Sequence, residues 1–240
     1  VKRELRGRYQ KSVLGMLWTL LNPFFQIVIY TFVFTIIFPS SIENYYIYLM
    51  TGIIPWNFFS EALGQGAGSV VANADMTKKI YFPREILTIS SVTAKFVNML
   101  LGFVVVLGFL IFSKVGISYH ILLLPLIFLA EYLMALGFTL FFSAITVYLR
   151  DMEYIVSVLL MAWIWATPIM YAVDTLEPTI AKLLLINPLT SVIMSYHNVL
   201  YYHIVPTPAT LIGILLVGVV LLIIGEVVFV HLEPHFAEEL

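Results

Sequence analysis

An all-α polytopic membrane protein with six transmembrane helices is the fold class this sequence predicts, on three observations. Of 240 residues, 61% are hydrophobic and 11% charged, with a mean hydropathy of +1.00; soluble domains carry about 45–50% apolar and about 25% charged residues. Apolar runs of span length alternate with short polar turns. With both chain ends placed on the cytoplasmic side, ten basic residues fall inside (Lys2, Arg3, Arg6, Arg8, Lys11, Lys78, Lys79, Arg84, Lys95 and Arg150) and two outside, Lys114 and Lys182. That asymmetry is the positive-inside pattern. The whole chain, 1–240, reads as one transmembrane domain.

Residues 1–18 hold five of the twelve Lys+Arg. Leu5, Tyr9, Val13 and Leu17 recur every four residues, so an apolar stripe faces away from much of the charge. The pattern predicts an amphipathic helix lying in the interface plane. The chain starts at Val1, and further residues before it are expected; nothing has the short apolar core of a signal peptide. Asn22-Pro23 is expected to break the run. The first span then covers 24–38, borrowing flanking residues to reach the roughly 20 that cross about 30 Å of hydrocarbon.

A second span is expected over 45–69, interrupted by Gly52, Pro55 and Glu61. Span three covers 87–112, with Lys95 near its cytoplasmic end, where its stem can snorkel to the headgroups. Residues 114–120 turn on the far side, and span four runs over 121–149 with Glu131 inside it. Arg150, Asp151 and Glu153 mark a tight cytoplasmic turn before span five, 154–171. The stretch 174–208 is less apolar and contains Pro178, Pro188, Pro206 and Pro208, enough chain for two short helices split at Asn187-Pro188. Span six is 209–230, and 231–240 is an acidic cytoplasmic tail.

The one charged, turn-rich island in roughly the first two-thirds of the chain is 73–87. Asn73 or Asp75 is placed to cap a short helix, and Pro83 to stop it. Ile80, Tyr81 and Phe82 are then bulky apolar groups in water unless something covers them. Two readings stand: a connecting loop whose aromatics lie back on the headgroups, or a docking helix for a soluble partner.

Catalytic signals are absent. There is no G-x-x-x-x-G-K-[ST], no H-E-x-x-H, no G-x-S-x-G and no histidine cluster with ligand spacing, so no catalytic or metal site is expected, and energy from ATP must come from a second polypeptide. The absence of cysteine excludes disulfides and thiolate metal sites. Gly64-Gln-Gly-Ala-Gly68 resembles a phosphate loop only superficially; within a span, small residues serve close helix packing. Glu61, Glu131 and Glu226 are acids at membrane depth, to be neutralised by pairing or protonation unless they relay protons. Tyr30, Phe34, Trp56, Phe59, Trp163, Trp165 and Tyr171 are aromatics that could line a path for sugar rings or belong to the interfacial belt and core.

Several stretches together resemble type-2 ABC exporter permeases of the polysaccharide branch, the O-antigen and teichoic-acid exporters. They are Leu5 to Trp18 with Leu21-Asn-Pro23, Lys79-Ile-Tyr-Phe-Pro-Arg-Glu-Ile-Leu87, Tyr148-Leu-Arg-Asp151, Ala166-Thr-Pro-Ile-Met-Tyr171, Asn187-Pro-Leu-Thr190 and Leu232-Glu-Pro-His-Phe-Ala-Glu-Glu239. The resemblance covers essentially the whole chain; one departure is Tyr196-His197, where many relatives carry arginine. It implies a homodimer in the bacterial cytoplasmic (inner) membrane, with both termini cytoplasmic, docked on two copies of a nucleotide-binding ATPase that holds ATP and Mg. A lipid-linked polysaccharide is the implied substrate and membrane lipids the surroundings; no nucleic acid is expected.

In that scheme residues 73–85 form a coupling helix, with Asp75, Lys78, Lys79, Ile80, Tyr81, Phe82, Pro83, Arg84, Arg150 and Asp151 meeting the ATPase. Arg3, Arg6 and Arg8 attract a lipid phosphate at the inner leaflet, or simply anionic lipid. The aromatics above line the substrate path. A re-entrant helical pair, 174–208, closes the outer mouth through Asn187, Pro188, Tyr196 and Tyr201. The rival readings are a drug or small-lipid exporter of the same fold, a membrane-embedded lipid or glycan transferase, and a proton-driven carrier using Glu61 or Glu131.

Overall fold

A computed structural model describes residues 18–37, 41–75 and 82–240. The expected interfacial helix, Trp18 apart, and residues 76–81 of the charged island lie outside the described residues. Among the described residues every regular element is helical. Helix α1 (Trp18–Phe32) continues into a π-helical turn, Val33–Ile37. Then come α2 (Tyr45–Gly66), α3 (Glu85–Phe112), α4 (Leu124–Tyr148) and α5 (Met152–Trp163). The short α6 (Pro178–Leu184) and α7 (Pro188–His197) follow, then α8 (Pro208–Leu232) and a last turn, α9 (Phe236–Glu239). Proline opens α6, α7 and α8, where its missing amide is one of the donors a helix start leaves unpaired anyway.

Among the described residues three helices are long and apolar enough to cross a membrane: Glu85–Phe112, Tyr119–Tyr148 and Pro208–His235. A fourth crossing is reached if the bent pair of α6 and α7 counts as one. At 22 residues α2 is long enough, yet it is not among those three. Its position explains this: sixteen of its residues are buried, so its surroundings are other helices rather than lipid. By contrast α8 buries only Leu211, Ile214, Gly218, Gly225 and Phe229 and turns the rest of an apolar surface outward. Hydropathy follows lipid contact, and the helix at the centre of the bundle needs it least.

Two expectations about breaks are corrected. Pro23 does not end the first run; α1 passes through it, as α2 passes through Pro55. Each proline removes one backbone hydrogen bond near the middle of a packed helix, a loss that neighbouring helices make tolerable in membranes. The fifth span is helical only to Trp163, after which 164–172 runs as turns and bends. Pro168 cannot donate to a continued helix. The carbonyl of Ala166 instead accepts from the Asn187 side-chain amide at 3.0 Å, so irregular backbone keeps a partner.

The packing depends on missing side chains. Helices α4 and α8 run parallel with their backbones in contact: a Cβ on Gly218 would sit 2.9 Å from the Ala130 carbonyl, and one on Gly225 would overlap the Gly137 backbone. A Cβ on Gly66 would strike the Thr139 methyl, and one on Gly68 the Glu153 carboxylate. The glycine run that superficially resembles a phosphate loop is thus where α2 lies against α4 and the start of α5.

Candidate functional site

Side chains that could act lie at the two ends of the bundle and in one polar seam between them. At the end carrying Arg84 and Arg150, three segments converge. The Arg84 amide donates to Glu233 Oε1 at 3.2 Å, and Arg84 Nη1 donates to the Glu233 carbonyl. The guanidinium lies 6.0 Å from the centre of the Phe236 ring. Phe236 is fully buried, edge-on to Phe229 and Tyr148. The Tyr148 hydroxyl donates to the Leu232 carbonyl at 3.0 Å. Arg150 and Asp151 are exposed, as are Asp75 and Pro83, while Phe82 is half-buried. Lys78, Lys79, Ile80 and Tyr81, like Arg3, Arg6 and Arg8, lie outside the described residues.

The opposite end is rich in tyrosine. Tyr45 donates to the Met170 carbonyl at 2.8 Å and Tyr48 to the Tyr171 carbonyl at 2.9 Å, so two residues one turn apart on α2 hold the irregular 164–172 segment. Tyr48 stacks on His197, ring centres 3.9 Å apart; a Cβ on Gly52 would stand 2.9 Å from His197 Nε2, which is why that turn of α2 is glycine. Tyr201 donates to the Glu43 carbonyl, tying the end of α7 to the loop before α2.

The stretch from Asp174 to Tyr202 doubles back on itself. Its two ends line one small cleft with Tyr48 and Asn198, and α6 meets α7 at 103°. Asn187 sits at the apex. Its Oδ1 accepts from Trp163 Nε1 at 3.0 Å and from the Leu189 amide at 3.1 Å, and its Nδ2 donates to the Ala166 carbonyl and to Thr167 Oγ1, each at 3.0 Å. One side chain therefore caps α7 and holds the broken fifth segment. Pro188 is the first residue of α7. Farther along α7, Tyr196 is fully buried and donates to Glu131 Oε2 at 2.6 Å. The tyrosine that replaces an expected arginine supplies a neutral hydrogen bond to the acid inside α4.

The polar seam joins α1, α2 and α3. Lys95 Nζ lies 2.7 Å from Glu61 Oε2, and Asn57 donates to Gln26 Oε1 at 2.9 Å. Asn57, Glu61, Lys95 and Asn98 line a small cleft walled by Pro23, Ile54 and Gly102. Lys95 is 4% exposed. It faces inward to an acid rather than snorkelling to the headgroups, a correction that follows from the antiparallel packing of α2 on α3, which brings Glu61 opposite it.

The expected aromatic path divides. Trp56 and Phe59 are buried in the core of the protomer at 4% and 0% exposure. They pack within the protomer, because α2 is enclosed by its neighbours. Trp163 is partly buried, edge-on to Phe59 at 5.3 Å and to Phe138 at 5.5 Å. Tyr30, Phe34 and Tyr171 are half-buried and Trp165 is 62% exposed.

Residues 1–201 match the family described as ABC-2 type transporter. The chain belongs to that family. The O-antigen export system permease protein RfbA of Myxococcus xanthus is 33% identical over 242 residues, spanning 100% of this chain and 93% of that protein. The protein of the same name from Klebsiella pneumoniae is 31% identical, spanning 98% and 91%. The polysialic acid transport protein KpsM of Escherichia coli is 26% identical over 198 residues, spanning 80% and 75%. In this ABC-2 chain, sequence reasoning missed Glu233 and Phe236 as partners of Arg84, and Tyr45 and Tyr48 as anchors. Only a buried-type ring inside an acidic tail signalled the first pair.

Proposed function

We propose that this chain is the transmembrane permease subunit of an ATP-driven exporter of lipid-linked cell-surface polysaccharide, of the O-antigen class or, as a related substrate, teichoic acid. The observation that carries the proposal is similarity along the full chain to proteins named as O-antigen export permeases. The sequence also lacks a nucleotide-binding loop, so hydrolysis falls to a partner ATPase that binds ATP and Mg. The subunit is a transporter component rather than an enzyme.

In this reading the working unit is a homodimer with two ATPase copies in the inner membrane. Six spans per protomer comprise α1, α2, α3, α4, α5 with its irregular continuation, and α8, and both ends are cytoplasmic. Residues 1–18 lie on the inner leaflet, where Arg3, Arg6 and Arg8 attract the phosphate of the lipid carrier. Residues 73–85 dock on the ATPase through Ile80, Tyr81 and Phe82, beside Arg150 and Asp151. Tyr30, Phe34, Trp165, Tyr171 and the edge of Trp163 offer faces to passing sugar rings. The pair α6–α7 is re-entrant and closes the outer mouth, with Asn187 and Pro188 at its apex and Tyr196 and Tyr201 along its return.

The test is transport by the subunit co-purified with its ATPase and placed in vesicles. ATP-dependent passage of lipid-linked glycan supports the proposal. ATP-dependent passage of small lipids or drugs without glycan replaces the substrate, and glycan transfer chemistry without transport replaces the function.

A further inference from the structure

The acidic tail does more than leave the membrane. Arg84 lies just before α3, and its backbone amide and guanidinium reach the tail at Glu233 Oε1, the Glu233 carbonyl and the face of Phe236. Glu233 is 149 residues away in sequence. The same tail is held to the end of α4: Phe236 has no exposed surface, packs against Tyr148, and Tyr148 donates to Leu232. The two connections on this end of the bundle, the one ending at Arg84 and the one starting at Tyr148, thus share one clamp.

We infer that the C-terminal tail, through Glu233 and Phe236, is a positioning element that fixes the angle at which the coupling segment leaves α3 and makes it move as one body with the α4–α5 turn. The inference rests on the reading of 73–85 as the ATPase-docking segment. A docking helix transmits force only if its base is held. Arg84 is the base: its amide donates to the Glu233 carboxylate and its guanidinium to the Glu233 carbonyl, and two charge-assisted hydrogen bonds from different parts of one residue hold both distance and direction. Arg84 therefore acts inward, toward the tail, rather than outward toward the ATPase as the sequence implied. Glu233 and Phe236 are positioning residues that touch neither ATP nor glycan.

The chain contains no cysteine, so spin labels can be introduced singly without a background. Labels at Glu238→Cys and Tyr119→Cys report the tail against the far end of α4; both sites are exposed. Assembled with a cysteine-free ATPase and diluted with unlabelled permease, so that each dimer carries one labelled protomer, the complex is expected to give one narrow distance. Glu233→Ala is expected to lower the docked-to-undocked ratio of the tail roughly tenfold, as befits losing a charge-assisted hydrogen bond, and to lower glycan exported per ATP with it, while hydrolysis continues. Phe236→Tyr keeps a ring under Arg84 and restores both readings, whereas Phe236→Leu does not.

An unchanged distance in Glu233→Ala, or unchanged coupling once the tail is released, overturns the inference. If Glu233→Ala fails to fold, Glu233→Gln serves, with a smaller loss of the same sign expected and no loss overturning it. Tyr81→Ala with Phe82→Ala separates the two ideas. If that variant uncouples while tail variants couple normally, docking stands and the clamp falls. If it couples normally, docking falls and the distance measurement alone decides the clamp.

Discussion

Replacing Gly137 by alanine tests the seam on which α4 and α8 depend. The added Cβ would lie 2.5 Å from both the Leu221 carbonyl oxygen and the Leu222 amide nitrogen. Those atoms are backbone and cannot rotate away. Ordinary contact needs about 3.5 Å, so the helices must part by about 1 Å, a gap that forfeits roughly a quarter to a half of the attraction at each neighbouring contact. Overpacking of this kind costs about 1–3 kcal/mol, which for a chain of this size lowers the melting temperature by roughly 3–10 °C. The assay is thermal loss of the monodisperse chromatographic peak in mild detergent. Gly213→Ala on α8 is the control, since nothing lies within 4 Å of its Cβ; alanine there should be neutral or stabilising by up to about 1 kcal/mol. Equal melting temperatures for the two variants would refute close backbone packing as the basis of this interface.

Lys95→Met alone should destabilise the fold by about 1 kcal/mol, because the ammonium is buried but its partner Glu61 is 48% exposed and escapes most of the cost of losing it, and Lys95→Met with Glu61→Leu should recover most of that; a cycle of melting temperatures checks the sign. A Glu61→Gln subunit that loses transport while ATPase coupling survives would instead favour proton coupling. Asn187→Ala should cost about 2 kcal/mol or more, since it removes a helix cap and leaves the Ala166 carbonyl and Trp163 indole unpaired; a red shift in Trp163 emission reports it. Tyr81→Ala with Phe82→Ala should uncouple hydrolysis from export without lowering the melting temperature, read from glycan exported per ATP. A bulky residue at Tyr30 or Trp165 should slow long-chain export more than ATPase binding, measured by transport and pull-down on the same membranes.

Much of the architecture was legible because lipid leaves strong marks on composition. Long apolar runs located α3, α4 and α8, and proline at position 188 located the split between α6 and α7, since it cannot donate an amide to a continuing helix. What failed were judgements about depth. Pro23 and Pro55 sit inside helices that neighbours support, so a local rule overestimated their effect. For Trp56 and Phe59 path and core stood side by side, because the sequence does not distinguish a ring facing a passage from one facing another helix; both are buried in the protomer. Lys95 and Glu61 are 34 residues apart and meet only once α2 packs against α3. The same limit hid the tail: Glu233 and Phe236 look like an acidic terminus until Arg84 and Tyr148 are brought beside them.

The most direct test of the central claim is where long-chain glycan resides after this subunit is depleted, read by lectin or antibody labelling of intact and permeabilised cells. The account predicts finished polymer trapped inside and its return to the surface when the subunit is restored. Undiminished polymer on the surface of depleted cells would contradict it.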